Sequence, residues 1–264
     1  MPISKSKTAK IISVTNQKGG VGKTTTTINL AAALSELEKK VLIIDLDPQG
    51  NASTGLGVEV EDRKLSTYEF LVEGIPLEKV AMETEVSGLN IIPATIDLSS
   101  ADIDLISNEK RSHLLYEALR KKEENKQKYD YILIDCPPSL NILTVNAMVA
   151  SHSVLIPLQS EFFALEGLSQ LLLTVKEVRQ TANENLRVEG IVLTMFDGRN
   201  NLSKQVEADA RTNLRELVFK TIIPRNVRVS EAPSYSMPVL TYDPSSKGSK
   251  AYMSLARELL ANNS

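Results

Sequence analysis

The sequence predicts an α/β fold in which a doubly wound, mainly parallel sheet forms a single domain. Short runs such as 40–45 and 153–158 are rich in β-branched residues and apolar on both faces, as buried parallel strands are. Longer segments such as 163–179, with apolar residues at helical spacing, alternate with these runs along the chain. Polar loops that carry Gly, Pro or Asp follow several of the strands directly. In such a sheet, ligands bind at the carboxyl ends of the strands.

The composition is that of an ordinary globular protein, with 264 residues, 42% of them hydrophobic and 24% charged. No apolar run is long enough to cross a membrane. The single cysteine, Cys136, excludes an intramolecular disulfide and a cysteine-rich zinc site and fits a reduced, cytoplasmic setting. Residues 1–9 are polar and basic, which predicts a flexible tail rather than a secretory signal, and residues 10–264 are expected to form the domain.

Charge is distributed unevenly along the chain. The net charge is −3, which argues against a strongly basic nucleic-acid binder. Residues 196–264, however, contain ten Lys and Arg against seven Asp and Glu, so this quarter carries +3 and the preceding part −6. The C-terminal quarter is therefore the basic part of an acidic protein.

A glycine-rich stretch at residues 16–25, Asn-Gln-Lys-Gly-Gly-Val-Gly-Lys-Thr-Thr, lies between a strand-like run at 11–14 and a helical segment at 28–34. This order is typical of a phosphate-binding loop, whose backbone N–H groups curl around an oxyanion at the positive end of a helix. Lys23 can reach the β- and γ-phosphates, and the Thr24 hydroxyl can bind Mg²⁺. The residues expected to bind the nucleotide here are Lys18, Gly19, Gly20, Val21, Gly22, Lys23, Thr24 and Thr25.

One position departs from the usual G-x-x-x-x-G-K-[ST] pattern. Gln17 stands where the first glycine is expected, and Lys18 adds a second lysine directly before the glycine pair. A second lysine in such a loop is costly unless a phosphate, of its own nucleotide or a partner's, lies against it.

Acidic residues follow two of the predicted strands. Asp45 and Asp47 come at the end of the run 40–45, and Pro48 and Gly50 mark the loop there. Carboxylates beside a phosphate loop can position an attacking water or organise the metal. Either role, or simple support of the loop, is open to this pair.

A second apolar run, at 129–135, ends in Asp135 and is followed by Cys136 and two prolines. This is the pattern of a Walker B strand, in which Asp135 would hold Mg²⁺ directly or through a bound water. Cys136 is interpreted as a small packing residue. His113 and His152 each lack a second ligand at metal-binding spacing, so neither is expected to bind a metal.

The rest of the chain alternates between further predicted helices and strands, without an internal repeat or a second domain. The predicted helices are 65–71, 98–106, 112–122, 203–217 and 248–261, the predicted strands are 89–93, 188–195 and 218–223, and 123–128 is predicted to be a charged turn.

The loop motif K-G-G-x-G-K-T-T at 18–25 resembles the deviant Walker A motif of the ParA/MinD family of ATPases. Residues 159–167 resemble the Q-x-E-x-x-A-L-E-G segment of chromosomal ParA (Soj) proteins. Residues 194–199 and 223–234 are similar to their T-M-[FY]-D-x-R and I-P-R-N-V-R-[LV]-[SA]-E-A-P-S segments. The resemblance thus covers nearly the whole chain and implies a P-loop fold of the deviant Walker A type.

The resemblance also implies roles for individual residues. In that family the extra lysine, here Lys18, reaches across a homodimer interface to the partner's nucleotide, and the second acid of D-x-D-P-Q-G-N, here Asp47, is needed for hydrolysis. Lys18, Lys23 and Asp47 are therefore the catalytic candidates, and Thr24, Asp135 and Asp47 the candidates for Mg²⁺. By the same resemblance, Pro224, Arg225 and Asn226 would contact adenine, and Arg199, Arg225 and Arg228 would bind DNA.

The function implied is that of a ParA-type partition ATPase, whose ATP-bound homodimer binds double-stranded DNA non-specifically until a ParB-like partner stimulates hydrolysis. Its weak intrinsic activity would require ATP and Mg²⁺, and its place would be the cytoplasm and the nucleoid. Only fifteen residues precede the loop, so the helix-turn-helix of plasmid relatives is not expected. The terminal helix lacks a lysine cluster, which argues against stable membrane association of the MinD type. A MinD-like membrane-surface ATPase and a ParA-like ATPase that positions a protein cargo are the alternatives.

Overall fold

The computed structural model describes residues 8–105, 108–120, 128–161 and 164–263. Within them, seven strands form one sheet. The strands are β1 (Lys10–Val14), β2 (Val41–Asp45), β3 (Met82–Glu83), β4 (Leu89–Ile92), β5 (Tyr131–Asp135), β6 (Ser153–Gln159) and β7 (Arg187–Thr194).

The order of the strands across the sheet is β3-β4-β2-β5-β1-β6-β7. Every pair is parallel except the short edge pair of β3 with β4. The predicted doubly wound, mainly parallel sheet is thereby confirmed. Because β2, β5 and β1 are neighbours, the loops that follow them leave the same edge of the sheet side by side.

Helices cover both faces of the sheet. They are α1 (Lys23–Glu36), α2 (Asn51–Gly55), α3 (Leu77–Val80), α4 (Ala101–Asp104), α5 (Leu114–Arg120), α6 (Ile142–Ala150), α7 (Ala164–Thr181), α8 (Asn201–Leu214), α9 (Val227–Glu231), α10 (Val239–Tyr242) and α11 (Lys247–Asn262). Short 3₁₀ turns lie at Val60–Asp62, Ile96–Ser100, Arg215–Leu217 and Ala232–Tyr235, and a π-helical turn at Glu69–Glu73.

The central strands divide their side chains between two cores, as the alternation of a strand requires. On β2, Val41 and Ile43 pack with α1 and α11 on one face, where Tyr252 of α11 is fully buried. Leu42 and Ile44 of the same strand pack on the other face with α5 and α6. All five residues of β2 are buried, which explains why the run is apolar throughout.

The predicted strand at 218–223 is wrong. The segment runs beside β7 but forms an isolated parallel bridge there, between Ile191 and Val218. The amides of Phe219 and Ile223 donate to the Ile191 and Leu193 carbonyls, at 2.9 and 2.8 Å. The amides of Lys220 and Thr221 instead donate to the two carboxylate oxygens of Glu258, at 2.7 and 2.9 Å. A side chain from α11 therefore takes the Thr221 amide, which lies between the two amides that bond to β7, and the ladder is interrupted there.

Smaller differences concern the helices. The predicted helix 98–106 is a 3₁₀ turn followed by the single turn of α4, and residue 106 lies outside the described residues. The predicted helix at 65–71 is a short helix at 67–73 that includes the π-helical turn. Of the helix predicted for 112–122, α5 covers Leu114–Arg120, and residues 121 and 122 lie outside the described residues. Most of the charged turn at 123–128, and residues 1–7 of the predicted tail, lie outside the described residues.

Over the described ranges, no helix is both long and apolar enough to span a bilayer.

Candidate active site

The glycine-rich loop connects β1 to α1, as the sequence predicts. Gly22 precedes α1 in the left-handed conformation at φ +85°, which favours glycine. The Thr194 hydroxyl donates to the Val21 carbonyl at 2.8 Å and ties the loop to the end of β7. The Asn16 carboxamide donates to the Pro157 carbonyl at 2.8 Å, which ties the start of the loop to β6. The loop is therefore held in place by the strands on one side of β1.

Lys23 and Thr24 begin α1 and lie where a phosphate chain would enter. The Lys23 ammonium is buried and donates to the Lys18 carbonyl at 3.0 Å. The Thr24 hydroxyl donates to Asp135 Oδ2 at 2.7 Å, and the Thr27 hydroxyl donates to Asp135 Oδ1 at 2.9 Å. Two successive turns of α1 thus fix both oxygens of the carboxylate at the end of β5.

Burial dominates the electrostatics of this site. It lowers the pKa of Lys23 and raises the pKa of Asp135, and the negative charge of Asp45 raises the pKa of Asp135 further. Burial also raises the pKa of Asp45, against the hydrogen bonds from Ser53. Two buried carboxyl groups near each other favour a bound cation, whose charge would offset both.

Asp45, the last residue of β2, and Asp47, which follows the strand, have different surroundings. Asp45 is fully buried and accepts hydrogen bonds from the Ser53 amide at 2.9 Å and the Ser53 hydroxyl at 2.6 Å, so it supports the loop by holding α2. Asp47 lies on the wall of a cavity, and its Oδ1 accepts the Gln49 amide at 3.0 Å. The Gly50 amide closes this turn by donating to the Asp47 carbonyl at 2.9 Å.

A cavity of about 520 Å³ brings most of the predicted residues together. Asp47 faces it from one side and the start of α1 from the other, with Pro138 from the loop after β5. Its lining residues are Gly19, Gly20, Gly22, Lys23, Thr24, Thr25, Ile28, Asn29, Asp47, Asn51, Thr54, Pro138, Met195, Pro233 and Met237.

Lys18 lies beside this cavity rather than in it. Its side chain, 41% exposed, forms an ion pair with Glu161 just after β6. Together with Val21 it lines a neighbouring pocket of about 330 Å³ against α7. The second lysine of the loop is therefore not directed at its own phosphate site and is partly open to solvent.

Pro224, Arg225 and Asn226 follow the 218–223 segment and are not among the described residues that line the cavity. Pro224 forms an isolated bridge with Phe196, and the Arg225 amide donates to the Phe196 carbonyl at 3.0 Å. The Asn226 side chain caps α9 by accepting the Val229 amide at 3.3 Å. The adenine role of these three residues stays a prediction.

The three predicted DNA-binding arginines are exposed and have carboxylate neighbours. Arg199 donates to Asp197 at 2.8 Å, and its hydrogen bonds lower the pKa of Asp197 to about 2. The positive charge of Arg225 acts on the same carboxylate. Arg228 pairs with Glu231 at 2.9 Å and with Asp243 at 3.4 Å. A phosphate that binds Arg199 or Arg228 would have to compete with these ion pairs.

The structure also identifies residues that no motif indicated. Asn29 accepts the Val239 amide at 2.7 Å and donates to the Thr25 carbonyl at 2.8 Å, which holds the cavity wall. Arg63, which follows three exposed residues in the sequence, is buried behind the Asp47 turn. Cys136 is fully buried, as predicted for a packing residue, and burial raises the pKa of its thiol.

The donor set fits a hard divalent cation only if phosphate completes it. The Thr24 hydroxyl and the Asp135 carboxylate, 2.7 Å apart, are oxygen ligands of the kind that Mg²⁺ prefers. Among the described residues, no group of three or more His, Cys, Asp or Glu side chains could hold a metal by itself. His113 and His152 line a separate cavity near the amino ends of β1, β6 and β7.

The fold and the site together define a P-loop nucleoside triphosphatase. The model of the family described as AAA domain matches residues 9–188. The sporulation initiation inhibitor protein Soj of Bacillus subtilis (strain 168) is 52% identical over 253 residues, which cover 96% of this chain and 99% of Soj. The chromosome partitioning protein ParA of Caulobacter vibrioides (strain NA1000 / CB15N) is 52% identical over 252 residues, 96% of this chain and 94% of that protein. The chain therefore belongs to the ParA/Soj family of partition ATPases.

A solved structure extends the comparison to a nucleotide complex. The cobyrinic acid a,c-diamide synthase from Mycobacterium smegmatis, with bound ADP and magnesium, superposes with a TM-score of 0.82 at 35% sequence identity. The match covers 96% of this chain and 95% of that one. The whole described architecture, and not only the phosphate loop, is thus shared with that structure.

Proposed function

We propose that this chain is a nucleotide-controlled DNA-binding ATPase that acts in DNA partition. The observation that carries the proposal is the cavity that the phosphate loop, Thr24 and Asp47 line together, with Asp135 buried behind it and hydrogen-bonded to Thr24. Full-length similarity to Soj and ParA supports partition as the process served.

In this proposal the cavity binds ATP with Mg²⁺. The backbone amides at residues 19–25 and the Lys23 ammonium hold the phosphates. Thr24 and Asp135 would hold Mg²⁺, with Asp47 near it, and the cation would supply charge neutralisation on the phosphate oxygens. The Lys23 ammonium is buried, so its charge acts on the phosphates with little screening by water.

Asp47 is the proposed catalytic carboxylate. It would accept a hydrogen bond from a water and orient that water toward the γ-phosphate. The water's oxygen then bonds to the γ-phosphorus while the bond from that phosphorus to the β–γ bridging oxygen breaks, which yields ADP and phosphate. Asp47 Oδ1 accepts the Gln49 amide, which orients the carboxylate, and its remaining lone pairs can accept the water. Hydrolysis by the chain alone is proposed to be slow.

Lys18 supports a two-subunit mechanism. Its ammonium lies outside the cavity of its own chain and is partly exposed, so it can contact a phosphate only after moving or by reaching a second copy. We propose the second: an ATP-bound homodimer in which each Lys18 touches the partner's nucleotide. Closing of the dimer would bring the two basic C-terminal quarters to one side.

DNA would bind to that joint basic surface through phosphates. Arg199, Arg225 and Arg228 are exposed on segments that follow β7 and the 218–223 segment. Contacts of this kind are indifferent to base sequence and sensitive to salt. A ParB-like partner would accelerate hydrolysis and release the DNA, and the protein would be found in the cytoplasm on the nucleoid. Pro224, Arg225 and Asn226 are proposed to contact adenine.

The test is retardation of double-stranded DNA with ATP, with ADP and without nucleotide. We expect Asp47→Ala to retain DNA persistently with ATP, Lys18→Ala to stay monomeric, and Arg228→Glu to dimerise without binding DNA. Arg179→Glu is the matched control, because it makes the same charge change at the far end of α7, where that helix has returned to the amino edge of the sheet. Equal DNA binding with and without nucleotide would overturn the proposal.

A second assay, with vesicles of anionic phospholipid, distinguishes a membrane-surface role from the proposed DNA-binding role. We expect no ATP-dependent co-sedimentation with these vesicles. Sedimentation with ATP but not ADP, together with absence of DNA retardation, would assign the chain to a membrane-positioning function instead.

A further inference from the structure

Arg63 is a buried arginine whose hydrogen-bond acceptors are all uncharged. Its side chain lies between α2 and the end of β4, and the residue is 8% exposed. Nε and Nη2 donate to the Val58 carbonyl at 3.1 and 2.7 Å, Nη1 donates to the Ala94 carbonyl at 3.1 Å, and Nη2 donates to the Thr54 hydroxyl at 2.8 Å. No carboxylate pairs with it among the described residues. Burying a guanidinium in this way is costly, whereas its rigid fork suits the joining of several acceptors.

The acceptors of Arg63 belong to segments that surround the Asp47 turn. Thr54 lies on α2, which begins directly after that turn, and Ala94 follows β4, the neighbour of β2. Gly50, the last residue of the turn, is in the left-handed conformation at φ +61°. A Cβ at Gly50 would lie 2.3 Å from Arg63 Nη1 and 3.0 Å from the Ala94 carbonyl oxygen. The guanidinium therefore lies directly against the backbone of the turn.

The contacts of the turn link this guanidinium to Asp47. The Gly50 amide donates to the Asp47 carbonyl at 2.9 Å, and the Thr54 hydroxyl donates to the Gly50 carbonyl at 3.1 Å. Thr54 and Asp47 both line the nucleotide cavity. Arg63 thus holds, from behind, the backbone that presents Asp47 to the cavity, while its own side chain is not among the cavity's lining residues.

We infer that Arg63 is a positioning residue for hydrolysis, which fixes the Asp47 turn without contacting nucleotide. The inference rests on the proposed function, because it takes Asp47 as the catalytic carboxylate. Binding of the phosphates depends on the loop between β1 and α1, which Arg63 does not touch in the contacts above. Loss of Arg63 should therefore lower kcat and leave nucleotide affinity nearly unchanged.

The test compares Arg63→Met, Arg63→Lys and the adjacent control Lys64→Met, which removes one exposed charge next to the same position. We expect kcat for ATP to fall about tenfold to a hundredfold in Arg63→Met, because a catalytic group displaced by about 1 Å costs that much. The affinity for a fluorescent ATP analogue should change less than about twofold. Arg63→Lys, which keeps the charge but loses the fork, should show a smaller fall. Lys64→Met should match the wild type.

Amide hydrogen exchange supplies a readout independent of turnover. We expect faster exchange in peptides that span residues 46–55 of the Arg63 variants, with unchanged exchange across the phosphate loop at 16–25. If Arg63→Met does not fold, Arg63→Lys decides by the same measurements. Unchanged kcat in a folded variant, or a parallel loss of nucleotide affinity and of protection in both segments, would overturn the inference.

Asp47→Ala, assayed in parallel, separates this inference from the proposed function. If Asp47→Ala is inactive and the Arg63 variants hydrolyse ATP as the wild type does, only the role of Arg63 is overturned. If Asp47→Ala hydrolyses ATP normally, the catalytic assignment of Asp47 fails, and the role of Arg63 fails with it.

Discussion

The Lys18 ammonium and the Glu161 carboxylate form an ion pair beside the nucleotide cavity, linking the phosphate loop to the segment that follows β6. Both side chains are nearly half exposed, at 41% and 46%. Glu161 also accepts the Gln159 carboxamide at 2.6 Å, so the carboxylate is held by its own segment. In the single chain, the ammonium of Lys18 is therefore bound to Glu161 and not to a phosphate site.

Glu161→Gln should favour the ATP-bound dimer. Removing the carboxylate frees Lys18 for the partner's phosphate. Each dimer breaks two such exposed pairs, each worth about 0–1 kcal/mol, so the dimer dissociation constant should fall by no more than about thirtyfold. Sedimentation velocity with ATP, in an Asp47→Ala background that prevents turnover, measures this. Glu177→Gln, farther along α7, is the matched control and should have no effect. Weaker dimerisation of Glu161→Gln would contradict the expectation.

Thr24→Val should weaken the effect of Mg²⁺ on nucleotide affinity. The substitution keeps the shape of the side chain but removes the hydroxyl that lies 2.7 Å from Asp135. Hydrogen bonds to charged groups contribute about 1.5–3 kcal/mol, so the Mg²⁺-dependent gain in ATP affinity should fall at least about tenfold. Titration with a fluorescent ATP analogue, with Mg²⁺ and with EDTA, checks this. In EDTA, the wild type and Thr24→Val should bind the analogue with the same affinity. If Mg²⁺ raised the affinity of Thr24→Val as much as that of the wild type, the assignment of Thr24 as a Mg²⁺ ligand would be wrong.

Gly248→Ala should destabilise the fold, whereas Gly167→Ala should stabilise it. A Cβ at Gly248 in α11 would lie 2.2 Å from Val229 Cγ2 on α9, but a Cβ at Gly167 in α7 would meet nothing within 4 Å. Overpacking of this kind costs about 1–3 kcal/mol, and replacing an unhindered helical glycine by alanine gains about 0.5–1 kcal/mol. Urea unfolding of the two variants gives the difference directly. A shift of the same sign in both would refute the packing argument.

Glu189→Gln should lower the free energy of unfolding by an amount that depends on pH. Burial disfavours the Glu189 carboxylate, but hydrogen bonds from Lys10, Ser153 and Asn263 outweigh burial and lower its pKa. The unfolded chain then binds a proton at higher pH than the folded chain does. The contribution is complete above the unfolded pKa of about 4.5 and is lost as the pH falls through the lower folded pKa.

The measurement is urea unfolding of the wild type and Glu189→Gln between pH 7 and pH 3.5. We expect a difference of about 1–2 kcal/mol at pH 7 that shrinks below pH 4.5. Glu184→Gln, an exposed change nearby, is the control and should show a difference near zero throughout. A Glu189→Gln difference that grows as the pH falls would contradict the assignment.

Short sequence patterns predicted the glycine-rich loop after β1 and the aspartates at the ends of β2 and β5. Each of these patterns, with its strand, its loop and its polar side chains, spans no more than about fifteen consecutive residues. The strand predicted at 218–223 failed for the opposite reason. The amides of Lys220 and Thr221 are taken by Glu258, which lies on α11 and is not indicated by any local pattern in the sequence. A β-branched run is visible in the local sequence, whereas a distant carboxylate that competes for its backbone amides is not.

Arg63 illustrates the same limit within the site. Arg63 follows Val60–Asp62, three exposed residues of which two are acidic. The local sequence therefore predicts that Arg63 lies on a solvent-exposed surface. Its burial is decided by Ala94 and Thr54, which the fold brings to it from other segments. The residues proposed to bind ligands lie in short sequence motifs, whereas Arg63, which supports them, is identified only by its tertiary contacts.

The strand order sets the width of the site. Lys23, Asp135 and Asp47 are delivered by β1, β5 and β2, which are consecutive in the sheet. Neighbouring strands lie about 4.8 Å apart, so the outer two of these three are roughly 10 Å apart whatever side chains they carry. Backbone hydrogen bonding between the strands thus sets the spacing of the groups that we propose to hold phosphate, cation and water. Substitutions can alter the chemistry of this site, but only a change of strand order would alter its span.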